Sequence, residues 1–156
     1  MAVYLLQSQS LSDKDQKFLK EAAEGGIMEV KLGQLAVSKA NSSEAKMLGQ
    51  HMIDDHTKAN FELMALAGKK NVSVPSEMGG EGQKKEKELS EKSGADFDKA
   101  YAKCMVKDHK KDVKKFKTAS KKADDKEVRD FAAKTLPTLE HHLMMSKETC
   151  KTLKKK

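Results

Sequence analysis

Four long stretches of this chain repeat apolar residues at spacings of three and four, the periodicity of a helix with one buried face. The first stripe is Phe18, Ala22, Gly26, Glu29, Gly33 and Ala36; the second is Ala45, Leu48, Met52, His56, Ala59, Leu63 and Leu66. In the third, Phe97, Tyr101, Met105, His109, Asp112 and Phe116 line up, and in the last Phe131, Leu139, His142, Ser146 and Thr149 or Cys150. Each stripe is interrupted by at least one group able to bind a proton or a metal: Glu29, His56, His109 and His142. Four helices therefore each bring such a group to a face that should be dry.

The spacing predicts helices over about 13–40, 44–68, 95–122 and 126–152, with 1–11 as a tail and 12–153 as one domain. Ser12 and Ser42 or Ser43 stand where N-caps belong. The turns near residues 41 and 124 are short, so each joins antiparallel neighbours. Folding about residue 41 sets Glu29 opposite residue 53, within a turn of His56; folding about 124 sets His109 opposite residue 139, within a turn of His142. Gly25, Gly26 and Gly33 would each cost a helix about 1 kcal/mol relative to Ala, and a closely approaching neighbour is the expected reason for them. Residues 69–94 form one long connection containing a short, charged helix near Gln83–Lys92. Two helical hairpins joined by one crossover is the ferritin-like arrangement of an all-α four-helix bundle. Pro137 falls inside the last helix and should bend it.

Charge and cysteine content narrow the function. The 31 Lys and Arg exceed the 24 Asp and Glu by seven, and residues 99–126 hold eleven lysines against four aspartates. A basic helix face of this kind is ordinarily a solvated one, although peripheral contact with anionic lipid stays open. Arg129 is the sole arginine, and the aromatics of the lysine-rich stretch, Tyr101 and Phe116, belong to the inward stripe rather than to the lysine-rich surface, which speaks against specific nucleic-acid readout. No run approaches the roughly 18 apolar residues of a membrane span. Met1-Ala2-Val3-Tyr4-Leu5-Leu6 lacks the basic start and length of a secretory signal. Cys104 and Cys150 match no zinc spacing and fall too far apart along their hairpin to bridge. No nucleophile motif or glycine-rich phosphate loop is present, so an enzymatic role is not the expectation.

The candidate ligands of a metal are Glu29, His56, His109 and His142, with Asp55, Asp112 and Glu140 as further ligands or as acceptors that fix a histidine tautomer. A di-iron centre needs Glu-x-x-His on two helices, and neither His51-x-x-Asp54 nor His109-x-x-Asp112 supplies it. A histidine-rich set with one carboxylate suits a single zinc, copper or iron ion. The alternative is a metal-free buried Glu/His network in a structural or stress-related binding protein.

Two blocks of sequence resemble a known family. Asp15-x-x-Phe18, Ala22-x-x-Gly25-Gly26-x-x-Glu29-x-x-Leu32-Gly33-x-Leu35-Ala36 and Met52-x-x-Asp55-His56 are similar to the first half of the bacterial family called domain of unknown function 4142. Ser93-Gly94-x-x-Phe97-Asp98-x-x-Tyr101, Met105-Val106-x-x-His109 and Leu136-Pro137-x-Leu139-x-x-His142-Leu143 resemble its second half. The likeness runs over about residues 12–150 and implies a ferritin-like fold. The family's recurring residues fall on Glu29, His56, His109 and His142. Its members are often labelled outer-membrane proteins and tend to carry export signals, which implies a periplasmic or otherwise extracytoplasmic home, and it implies no established activity.

Overall fold

The computed structural model describes residues 10–155, and residues 1–9 of the expected tail lie outside that range. The described residues are all-α: α1 (Asp13–Lys39), α2 (Ser43–Lys69), α3 (Gly80–Ser90), α4 (Gly94–Lys122) and α5 (Lys126–Lys154). α1 pairs with α2 and α4 with α5 as two hairpins, and the crossover carries α3 across α1 and α4. This is a ferritin-like four-helix bundle. Side-chain caps start three of the long helices: Ser12 accepts from Asp15 N–H, Ser42 from Ala45 N–H, and Asp125 from the N–H groups of Glu127 and Val128. α5 continues through Pro137 without a break. No described helix is long and apolar enough to cross a membrane.

Each hairpin turn is clasped by the other hairpin. Asp98 of α4 accepts from the N–H groups of Asn41 and Ser42 at 2.9 and 2.8 Å. Asp15 of α1 accepts from those of Asp124 and Asp125 at 3.1 and 2.7 Å. Both aspartates are buried, and Asp98 follows Asp15 by the same 83 positions that separate Asp124 from Asn41 and Asp125 from Ser42. The two hairpins are thus related by an approximate two-fold that preserves the clasp.

The glycines of α1 serve three different surroundings. At Gly33 an added Cβ would lie 2.7 Å from the carbonyl oxygen of Gly49, and at Gly49 one would lie 2.8 Å from that of Gly33, so the backbones of α1 and α2 touch there. Gly26 makes room for the Asn60 side chain, whereas Gly25 faces open space. The expected close approach holds for Gly26 and Gly33 and fails for Gly25.

The crossover helix is less exposed than its charge pattern suggests. Its one leucine, Leu89, is buried against α1 and α4 residues, and Gly82 sits against Met78 and Met28. The apolar core falls into two clusters. One gathers Phe18, Leu19, Leu63, Phe116, Phe131 and Leu139; Leu11 joins it from the stretch assigned to the tail. The other gathers Leu32, Leu48, Met52, Leu89, Phe97, Tyr101 and Met105. On each long helix one buried polar residue, Glu29, His56, His109 or His142, lies between or beside these two clusters, so the core has a polar belt at mid-height.

Candidate metal centre

His56, His109 and His142 meet in this belt. One ligand nitrogen of each lies within 4.8 Å of the others, and the ring centroids are 5.2 to 5.5 Å apart. Their tautomers follow from the partners. His109 Nδ1 faces the Met105 carbonyl one turn back at 3.0 Å; a carbonyl only accepts, so Nδ1 carries the hydrogen and Nε2 is left with a lone pair. His142 Nε2 donates to the Asp55 carboxylate at 2.8 Å, and its Nδ1, buried without a partner, carries the lone pair. His56 Nε2 faces His109 Nε2 at 3.3 Å.

Burial keeps the rings neutral. It lowers the pKa of His56 well below the usual range, with the neighbouring His109 and His142 adding to the effect. His109 is pushed down to about 4 chiefly by burial, then by His142. Burial also lowers His142, and the Asp55 carboxylate only partly offsets it. Three uncharged imidazoles facing one point, with no proton to displace on two of them, form the donor set that zinc and copper take. The 3.3 Å between two Nε2 atoms equals the separation, about 3.3 Å, of two imidazole nitrogens sharing one tetrahedral ion at about 2.0–2.1 Å each.

The other expected residues are placed differently. Asp55, half-exposed, is the acceptor that fixes the His142 tautomer. Glu140 is exposed, because it stands two residues, roughly 200°, round α5 from His142. Glu29 is fully buried with neither oxygen hydrogen-bonded, and it lies outside the histidine set. Gly26 and Gly33 point at α2, and Glu29 is turned from them by roughly 40–60°. It feels the charges of Asp112 and Asp108 on α4 and of Lys85 on α3. Burial, then those two aspartates, raises its pKa well above the carboxylate range, which keeps it protonated. Asp112, three positions on from His109, has its pKa raised to about 6 by burial.

Beside Glu29 lies a polar group that the stripes do not reveal. Lys85 donates to Asp108 Oδ1 at 2.7 Å and pairs with Glu81 at 3.0 Å, and the Cys104 thiol donates to Asp108 Oδ2 at 3.3 Å. The hydroxyl of Tyr101, an apolar stripe residue by its spacing, is buried without a partner. Asp108 is followed at once by His109, and its partner Lys85 comes from the crossover; the charge run hides both. The two cysteines are free.

Fold and centre together define a ferritin-like helical bundle with a buried histidine triad. The chain belongs to the family described as a domain of unknown function (DUF4142), which matches residues 5–149. Among solved structures it is similar to a DUF305 fragment from Deinococcus radiodurans, at 10% identity and a TM-score of 0.80 over 92% of this chain and 99% of that one. It is also similar to CopM in its Cu(II)-bound form, at 16% identity and a TM-score of 0.74 over 88% of this chain and 96% of that one. At these identities the likeness is one of fold. No curated protein matches the chain.

Proposed function

We propose that this protein binds one transition-metal ion, copper foremost and zinc second, through His56 Nε2, His109 Nε2 and His142 Nδ1. The observation that carries the reading is the convergence of three buried, neutral imidazoles, of which one presents a lone pair with no partner. An orphaned buried acceptor is costly, by about 1–3 kcal/mol, and an ion at that point would satisfy it. All-nitrogen donors favour copper or zinc over non-haem iron, which ordinarily takes a carboxylate in the same set. Asp55 plays the orienting role that a carboxylate behind a ligating histidine plays in metal sites. A protein of the same fold, CopM, has been captured with Cu(II), which supports copper. Storage, sensing or redox protection in an extracytoplasmic, periplasmic compartment is the setting that fits, the compartment following from the family resemblance. Residues 12–153 act as one unit in this reading.

A second reading has one observation in its favour: the 3.3 Å contact between His56 and His109 is itself a hydrogen bond, so that pair is closed without an ion. Elemental analysis of untagged protein purified without chelator separates the two. One equivalent of copper or zinc is expected, absent from a variant with His56, His109 and His142 replaced by Ala that keeps its helical circular dichroism. No metal in either protein after soaking with copper, zinc and iron would leave the metal-free network.

A further inference from the structure

The histidine triad is enclosed by four helices, so an ion needs a way to it. A cleft of about 420 Å³ opens to the surface between α1, α3 and α4, with Glu21, Glu24 and Met28 on one wall and Met78, Asp108 and Asp112 among the others. Deeper in the bundle, a cavity of about 20 Å³ lies against His56, with Asn60 and Thr135 also on its wall. That volume holds about one water molecule.

Two residues border both spaces, Gly25 and Asp112. Gly25 contributes no side chain, and even an added Cβ there would meet nothing within 4 Å. The carboxylate of Asp112 is therefore the one side chain common to the outer cleft and the inner cavity. It makes no hydrogen bond or ion pair among the described residues, although Lys85 of the same cleft is tied to Asp108 and Lys115 to Glu21. A carboxylate left unpaired beside paired neighbours is free to take a cation and to turn with it. Glu29, whose two oxygens are also without partners, lies within electrostatic reach of it.

We propose that the cleft beneath the crossover is the route by which the metal ion reaches the histidines, and that Asp112 hands the ion from the cleft to the cavity beside His56. The proposal rests on the metal reading above. The three lysines on the cleft walls are each held by a carboxylate, Lys85 by Glu81 and Asp108, Lys111 by Glu81 and Lys115 by Glu21, which leaves Glu24 to attract a divalent cation at the mouth. Open space at Gly25, in a helix where glycine is otherwise unfavourable, is what such a passage requires.

The test is the rate of copper(II) transfer from a chromophoric chelator to the full chain, whose absorbance reports both rate and final occupancy. Gly25→Leu narrows the passage, Asp112→Asn removes its carboxylate at constant size, and Gly68→Leu is a control at a helical glycine that also faces open space but lies away from the cleft. Gly25→Leu and Asp112→Asn are each expected to slow loading at least tenfold with wild-type final occupancy, and Gly68→Leu to load as wild type. Should Gly25→Leu fail to fold, Gly25→Ala and Asp112→Asn carry the comparison. Wild-type rates in the cleft variants, with uptake that still needs the histidines, would overturn the route and leave the metal reading standing. Lost occupancy in Asp112→Asn would make Asp112 a ligand and refute its role in transfer. No uptake by the wild-type chain would end both readings.

Discussion

Replacing His109 by Gln isolates one titrating group at the centre of the belt. In the metal-free protein the His109 ring has a pKa of about 4, against 6.5 for an ordinary histidine. Between those values the unfolded chain holds a proton that the native chain does not, so native stability falls as pH drops from about 6.5 to about 4 and falls no further from this cause below that. At 1.36 kcal/mol per unit the loss is about 3 kcal/mol. Gln does not titrate, its loss of the Met105 bond is independent of pH, and His56 and His142, depressed by the same burial, titrate in both proteins. Urea unfolding followed by circular dichroism with chelator present, at pH 7.5, 6, 5 and 4.5, reads the difference. The wild type should lose about 2–3 kcal/mol more than His109→Gln across that range. Parallel slopes would show that the ring is protonated or solvated in the native state and would undo the argument for three neutral ligands.

Two substitutions test the packing that positions the belt. Gly33→Ala puts a methyl 2.7 Å from the Gly49 carbonyl oxygen; overpacking of about 1–3 kcal/mol is set against a helix-propensity gain of about 1 kcal/mol, and because the clash is with backbone, a net loss of up to about 2 kcal/mol in urea is expected. Asp98→Ala strips the acceptor from the Asn41 and Ser42 amides, a cost of about 2 kcal/mol; hydrogen exchange should speed at those two amides and stay slow at Asp124 and Asp125.

Periodicity placed the polar residues well in depth and poorly in azimuth. Spacings of three and four put Glu29, His56, His109 and His142 on inward faces, where all four are buried, and the short turns fixed them at one height. The four-helix fold with its crossover was legible for the same reason. A stripe, however, spans a wide arc, and a residue three positions from a stripe's centre turns by about 60°. Asp112, three positions on from His109, and Glu29, turned from Gly26 and Gly33, therefore stand within electrostatic reach of Lys85 and Asp108. Meeting partners across the crossover cannot be read from period at all, since Lys85 sits in a run of alternating charge that looks solvated. Leu89 was the available signal that the crossover helix is seated on the bundle: one leucine in an otherwise polar segment.

The reciprocal clasps at Asp15 and Asp98 bear on how the chain comes together. A hairpin on its own has a turn whose amides await an acceptor that only the other hairpin carries, so neither half is a finished folding unit. The requirement is for the other hairpin and not for the peptide that joins them. A chain severed between Ser73 and Glu77 would keep both clasps, and its two fragments would recognise each other by the same four amide contacts that hold the intact molecule.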